Sequence, residues 1–225
     1  MLGHELRNPL APILTALQLL RLRGIDAASK ERDVIERQVN HLVRLVDDLL
    51  DVSRITGGKI QLQRAPVEIA DVVFKAVETS SPLFEQHHHH LAVDVPTAGL
   101  TVDGDVERLT QVVSNLLTNA AKYTNPGGTV TVRGARDGDR VVLAVSDSGI
   151  GIEPDMLPRV FDLFSQEAQA IDRAKGGLGL GLAIVRSLVE LHDSYHKYNM
   201  MLLIYIGRTM CHECQERRPR PTTRR

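Results

Sequence analysis

Leu6, Leu10, Ile13, Leu17 and Leu20 recur at spacings of 4, 3, 4 and 3, which sets them along one side of a helix. After RGIDAAS the same spacing returns in Ile35, Val39, Leu42, Val46 and Leu49, broadened by Val43 and Leu50. Ser29 followed by Glu31 and Arg32 is a helix-start signal, and TGGK after Ile55 is a stop. Two amphipathic helices with a short connection predict an antiparallel hairpin over residues 1–60. A hairpin alone cannot bury both stripes. Dimerisation into a four-helix bundle is the economical solution, and packing on the rest of the chain is the alternative.

Beyond residue 60 the periodicity becomes mixed. IADVVFKAVETSSPLFEQ reads as a helix and LAVDV as a strand. Leu109, Val112, Val113, Leu116, Leu117 and Ala120 form the apolar stripe of a further helix. Val130 and Val132, then Val141, Leu143 and Val145, flank an Asp-Gly turn and predict an antiparallel hairpin. Glycines then precede the apolar helix LAIVRSLVELH.

The 225 residues have room for one large domain or two small ones. A net charge of −1 argues for neither nucleic acid nor an anionic membrane, although ERRPRPTTRR closes the chain with a basic tail. Apolar runs such as MMLLIYI are too short to span a bilayer, and no apolar secretory segment follows a charged start. Cys211 and Cys214 make no disulfide framework, so a cytoplasmic, reducing setting is the expectation. Their C-x-x-C spacing lacks the second pair that a zinc site needs.

Chemistry concentrates in a few stretches. His4 and Asn8 lie four apart on one helix face, beside the Leu6 stripe, and Glu5 stands ready to accept an imidazole proton. Pro9 removes a backbone donor just beyond them. A zinc-protease reading of His4-Glu5 needs a second histidine where Asn8 stands. Arg108, Gln111, Asn115, Asn119 and Lys122 form a second stripe on the helix of Leu109. Solvated faces usually carry Glu and Lys, and mid-helix asparagines are unfavourable. A neutral Asn carbonyl suits Mg²⁺ when phosphates bring the charge, and Lys122 suits a phosphate. Asp147, Gly149 and Gly151 follow a strand directly, so a base can lie on bare backbone while the carboxylate takes its exocyclic amine. Gly176, Gly177, Gly179 and Gly181 open a helix and predict an anion site, in neither the dinucleotide nor the P-loop spacing. The polar connection between these stretches, with Phe161 and Phe164 as anchors, reads as a mobile cover. The run His87 to His90 reads as a loop of incidental basic character.

In this order the motifs resemble the sensor histidine kinases of two-component signalling. GHELRNPL resembles the histidine box, NLLTNAAKYT the asparagine box, DSGIGI and GGLGLGLAIV the two glycine boxes, and VFDLFSQ the phenylalanine box, together over residues 1–192. The resemblance implies an α+β chain: a helical hairpin in a dimeric four-helix bundle over 1–60, then an α/β sandwich of the histidine-kinase, gyrase and chaperone ATP-binding type over 61–192. It implies autophosphorylation by ATP on His4, with Glu5 as acid/base partner and Asn8 positioning water when the phosphohistidine is hydrolysed. Asn119 would hold Mg²⁺, Asn115 and Lys122 would lie near the phosphates, and Tyr123 near the nucleotide. Asp147 would read adenine, and Gly149, Gly151, Gly177, Gly179 and Gly181 would shape the lid and phosphate loop. The implied partners are a second copy and a response-regulator receiver domain, with no nucleic acid and no membrane segment. Where related ATPases carry a water-activating glutamate one turn before the metal asparagine, this chain has Asn115, which favours transfer to histidine over hydrolysis.

After His192 the chain departs from the family pattern. Residues 193–225 read as a non-matching tail, with a frameshift or recombination as the simplest account, and the start at the histidine box reads as a truncation. The sandwich is therefore expected to lack its last strands, although NMMLLIYIG could fill one strand position. The alternative function is an inactive remnant that only dimerises.

Overall fold

A computed structural model describes residues 29–58, 60–163, 165, 179–193, 200–206 and 209–210. The chain divides into two compact units, Met1–Ile60 and Gln61–Arg225.

In the first unit the described element is helix α1 (Ser29–Thr56), which starts and stops where the Ser29 and TGGK signals place it. Gly57 and Gly58 donate back to the Ser53 and Ile55 carbonyls at 3.1 and 3.0 Å, and Gly58 adopts φ +60°, a left-handed C-terminal cap. The apolar stripe divides into two rows. Val39 is buried and Val46 half-buried, whereas Ile35, Leu42 and Leu49, each seven residues apart, remain 45%, 48% and 42% exposed.

Asp48, half-buried on α1, is pushed up from 3.8 to about 6, by burial first and then by Asp51 and Asp47, against the opposing pull of Arg44. The native state therefore holds this proton more tightly than the unfolded chain. Stability falls as pH rises from 3.8 to about 6, and the full penalty stands above that window. The full shift corresponds to about 3 kcal/mol, and solvent screening at this partly exposed carboxylate reduces the penalty well below that. Asp48→Asn is expected to raise the urea midpoint at pH 7.5, with the advantage over the parent shrinking towards pH 4. An advantage that does not change with pH would contradict this assignment.

The second unit is a sheet covered by helices. Strand β1 (Ala65–Glu68) pairs antiparallel with β3 (Thr101–Gly104) in a small separate sheet. Helix α2 (Ile69–Gln86) follows β1 and packs against α3 (Val106–Tyr123) through Val72, Val73 and Ala76 on its buried face. Pro82 inside α2 leaves the Glu78 carbonyl without its usual donor, and the Ser81 hydroxyl takes it at 3.0 Å. Asp105 caps α3 by accepting from the Glu107 and Arg108 amides at 3.0 and 3.2 Å.

The main sheet has the order β2-β4-β5-β6-β7. Strand β2 (His90–Asp94) runs parallel to β4 (Thr129–Asp137), which forms the expected hairpin with β5 (Arg140–Asp147). Val130, Val132, Val141, Leu143 and Val145 all point inward and are buried. Helix α4 (Gly181–Asp193) packs on α3, burying Ala183, Ile184, Val185 and Leu188.

One expectation is corrected. The sheet does not lack its last strands, because β6 (Met200–Ile206) pairs parallel with β5 and β7 (Thr209–Met210) pairs antiparallel with β6. MMLLIYI is apolar throughout and rich enough in β-favouring residues to extend, and the open edge of β5 supplies its hydrogen-bond partners. Departure from a family pattern therefore did not remove the physical property the position selects.

Candidate nucleotide site

Three elements bring the sequence-predicted residues of the second unit together. Helix α3 contributes Asn115, Asn119, Lys122 and Tyr123 from its C-terminal half. The end of β5 contributes Asp147 and the turn through Gly149 and Gly151. The start of α4 contributes Gly179 and Gly181. Asn115 and Asn119 are one turn apart and both half-buried, so they share one face of α3. His4, Glu5, Asn8, Gly176, Gly177, Phe164 and the cysteines lie outside the described residues.

The contact between α3 and α4 is made at the asparagines. Asn115 Nδ2 donates to the Gly181 carbonyl at 3.4 Å. A Cβ added at Gly181 would lie 3.9 Å from Asn115 Cγ and 4.0 Å from Asn119 Nδ2. Both amides thus face the N-terminus of α4. The first hydrogen bond within that helix is Ile184 N–H to the Leu180 carbonyl at 2.9 Å, so the earlier amides of α4 have no intrahelical acceptor. Such amides at the positive end of a 13-residue helix favour a phosphate.

Gly181 itself marks the space a ligand would fill. It sits at a helical position, and among the described residues nothing stands nearer than 3.9 Å to an added Cβ. The described packing therefore does not require glycine there, which suits a ligand passing close to the backbone. Gly181→Ala is expected to leave nucleotide-free stability unchanged or raised by up to about 1 kcal/mol. Labelling from ATP should fall about tenfold or more, because the methyl occupies the phosphate approach. Thermal unfolding together with phosphate incorporation would check both halves, and full labelling would refute the second.

The turn after β5 is tied to the last residue of α3. Asp147 Oδ1 accepts from the Gly149 amide at 2.8 Å, and Ile150 N–H donates to the Tyr123 carbonyl at 3.2 Å. Gly149 lies so close to Tyr123 that an added Cβ would overlap its carbonyl oxygen and come within 2.7 Å of Asp147 Oδ1. Gly151, at φ +79°, has nothing within 4 Å of an added Cβ and needs glycine only for its backbone conformation. Lys122 Nζ stands 4.8 Å from the centroid of the Tyr123 ring, a cation–π contact at the mouth of the site. Tyr123 and Ile150 are exposed beside it. Of the connecting segment, the described part carries a short 3-10 turn, Leu157–Arg159, and a half-buried Phe161.

Sequence reading missed two sets of residues that brace this site. His192 accepts from the Asp105 amide at Nε2, 3.1 Å, and bonds the Leu188 carbonyl through Nδ1, 2.7 Å, linking the start of α3 to the end of α4. Arg64 donates to the carbonyls of Leu191 and His192 at 2.7 and 3.2 Å. The signal for Asp105 was present as an N-cap residue before an apolar run, whereas partners some 90 positions away leave no local trace. The second set is the histidine run, whose backbone and side chain are bonded to α3 and to the loop after it.

Comparison with known proteins agrees with this geometry. Residues 104–216 match the family model of histidine kinase-, DNA gyrase B- and HSP90-like ATPases, and residues 1–58 match that of the His Kinase A phospho-acceptor domain. The chain is 36% identical over 201 residues to the circadian input-output histidine kinase CikA of Synechococcus elongatus, covering 86% of this chain and 26% of that protein. It is 37% identical over 193 residues to the probable sensor histidine kinase TcrY of Mycobacterium tuberculosis, covering 85% and 40%. Among solved structures, full-length ShkA in complex with AMPPNP is similar with a TM-score of 0.68 and 34% identity, over 84% of this chain and 39% of that one. The Acinetobacter baumannii histidine kinase AdeS, 23% identical with a TM-score of 0.56, shares the fold over 83% of this chain and 86% of its own. The chain thus spans between a quarter and two fifths of the two curated relatives, 26% and 40% of their lengths.

Proposed function

This chain belongs to the sensor histidine kinases of two-component systems, and from that premise we propose that it phosphorylates itself from ATP on His4 and passes the phosphoryl group to a response-regulator aspartate. The observation that carries the reading is the pair of asparagine amides, Asn115 and Asn119, facing the amide-lined start of α4. Asn115 donates to a backbone carbonyl and offers no carboxylate to activate water. Phosphoryl transfer to a side chain fits this site better than hydrolysis.

In the proposed reaction an imidazole nitrogen of His4 attacks the γ-phosphorus, forming a P–N bond as the P–O bond to ADP breaks. Glu5 takes the ring proton. A receiver aspartate oxygen then attacks the same phosphorus and the P–N bond breaks, regenerating His4, and Asn8 positions water for the competing hydrolysis. Within the second unit, Asp147 orients the adenine, the start of α4 binds the phosphates, and Lys122 adds positive charge. Asn119 is the residue that would hold Mg²⁺, because its neutral carbonyl oxygen complements phosphate oxygens that bring the charge. When bound, the cation would neutralise charge developing on the phosphates.

Residues 1–60 are assigned to dimerisation and phosphotransfer, and 61–192 to ATP binding, with the strands beyond 192 continuing that sheet. The exposed row Ile35, Leu42 and Leu49 fits a seam against a second copy, since its seven-residue spacing is that of a bundle interface. The inactive-remnant reading rested on a sheet without its last strands, and β6 and β7 occupy those positions. No helix among the described residues is long and apolar enough to cross a membrane.

Incubation with radiolabelled ATP and Mg²⁺ tests the reading. Acid-labile, alkali-stable labelling that disappears in His4→Ala is expected. Phosphate release that continues in His4→Ala would mean a free-standing ATPase, and a folded dimer without label would mean a remnant.

A further inference from the structure

The histidine run is bonded to the nucleotide site from behind. Helix α3 ends at Tyr123, and its last carbonyls find partners in different segments. The Ala120 carbonyl accepts from Thr124 N–H at 3.0 Å, and the Tyr123 carbonyl from Ile150 N–H at 3.2 Å. The Ala121 carbonyl is bonded by His89 Nε2 at 2.9 Å. Because a carbonyl only accepts, Nε2 carries the proton. Two backbone bonds reinforce the contact: Gly127 N–H donates to the His87 carbonyl at 3.1 Å, and His90 N–H donates to the Gly128 carbonyl at 2.9 Å. The next residue, Thr129, accepts from Ser148 N–H at 3.0 Å and donates to Ser148 Oγ at 2.9 Å. The turn of α3 that carries Lys122 and Tyr123 is thus clasped between His87–His90 on one side and Ser148–Ile150 on the other.

The ring of His89 is itself held in place. It meets Phe84 edge-on with centroids 6.0 Å apart, and it stacks on His87 at 5.4 Å with planes 18° apart. The backbone reaches this arrangement by placing His88 at φ +54°, a left-handed conformation uncommon for a side-chain-bearing residue. His89 Nδ1 is buried without a hydrogen-bond partner among the described residues, so the ring bonds through Nε2. The Nε2 donor is what this position supplies.

We propose that His89 is a positioning residue of the nucleotide site: its Nε2–H fixes the last turn of α3, and through the Tyr123 carbonyl it sets the Asp147–Ile150 turn. The proposal rests on the nucleotide reading above, but its geometric half can be measured without nucleotide. On the full chain, ATP affinity is read by calorimetry, and amide exchange of Ile150 is followed in the nucleotide-free protein. His89→Leu is expected to weaken ATP binding about 5- to 20-fold and to speed Ile150 exchange by about fivefold, the loss of one ordering hydrogen bond. His89→Gln places an N–H at a similar reach and is expected to return both values to within about twofold of the parent. Val67→Ala, which weakens the separate β1–β3 sheet, reports what lost stability does by itself, and all variants are compared equally far below their own Tm. If His89→Leu behaves like Val67→Ala, or His89→Gln fails to rescue, the positioning role is overturned. A parent chain that binds no ATP overturns the nucleotide reading, and unchanged Ile150 exchange in His89→Leu overturns the positioning role in that case too.

Discussion

Asn119→Ala is expected to stabilise the protein and silence it at once. Asparagine is a poor helix former, and alanine in the interior of α3 should add about 0.5 kcal/mol. The side chain is half-buried and faces the start of α4, and no hydrogen bond holds its amide among the described residues. On the proposed reading, the ligand it holds offsets its cost to the helix. With the carbonyl oxygen gone, Mg²⁺ would lose its protein donor, and autophosphorylation should fall at least about 100-fold. A thermal melt and a labelling assay on the same preparation check the two signs together. Retention of more than about a tenth of the parent rate would remove Asn119 from the metal site.

Gly149→Ala should abolish nucleotide binding by a different route. The added Cβ would overlap the Tyr123 carbonyl oxygen and lie 2.7 Å from Asp147 Oδ1 and 2.9 Å from the Tyr123 carbonyl carbon. Two of these neighbours are backbone at the end of α3, and the third is the carboxylate assigned to adenine. None can move without displacing the site. The overpacking is expected to cost about 1–3 kcal/mol of stability and to weaken ATP binding about 100-fold. Gly151→Ala is the matched control: among the described residues the new methyl meets nothing within 4 Å, so backbone strain of about 1–2 kcal/mol is expected, with a smaller loss of affinity. Calorimetric titration of both variants decides the matter, and equal affinities would show that the close approach at Gly149 has no functional consequence.

Much of this protein was legible in one dimension. The 4, 3, 4, 3 spacing placed α1, and its Ser29 and TGGK signals set its ends. Alternation around Asp-Gly predicted the β4–β5 hairpin, and the polar stripe on α3 pointed to a ligand before any partner was known. What the sequence leaves open shares one origin. It offers MMLLIYI as a filler for one strand position, and only the open edge of β5 decides the matter, because such an edge accepts any chain that is apolar and extended enough to pair. The loop expected at His87–His90 is found between α2 and β2, but the bond from His89 to a carbonyl 32 positions away has no local signal in the sequence.

Periodicity, capping residues and motif order are local properties, so residue order alone was enough for the described helices, the β4–β5 hairpin and the family. Distances between remote segments are not local. Only the folded chain separates Gly149, which has no room for a methyl, from Gly181, which has room that the fold does not use. Only the fold brings His89 to Ala121 and Ile150 to Tyr123. Those contacts arise when helices and sheet bury their apolar faces against each other, and no pattern of neighbouring residues encodes the resulting separation.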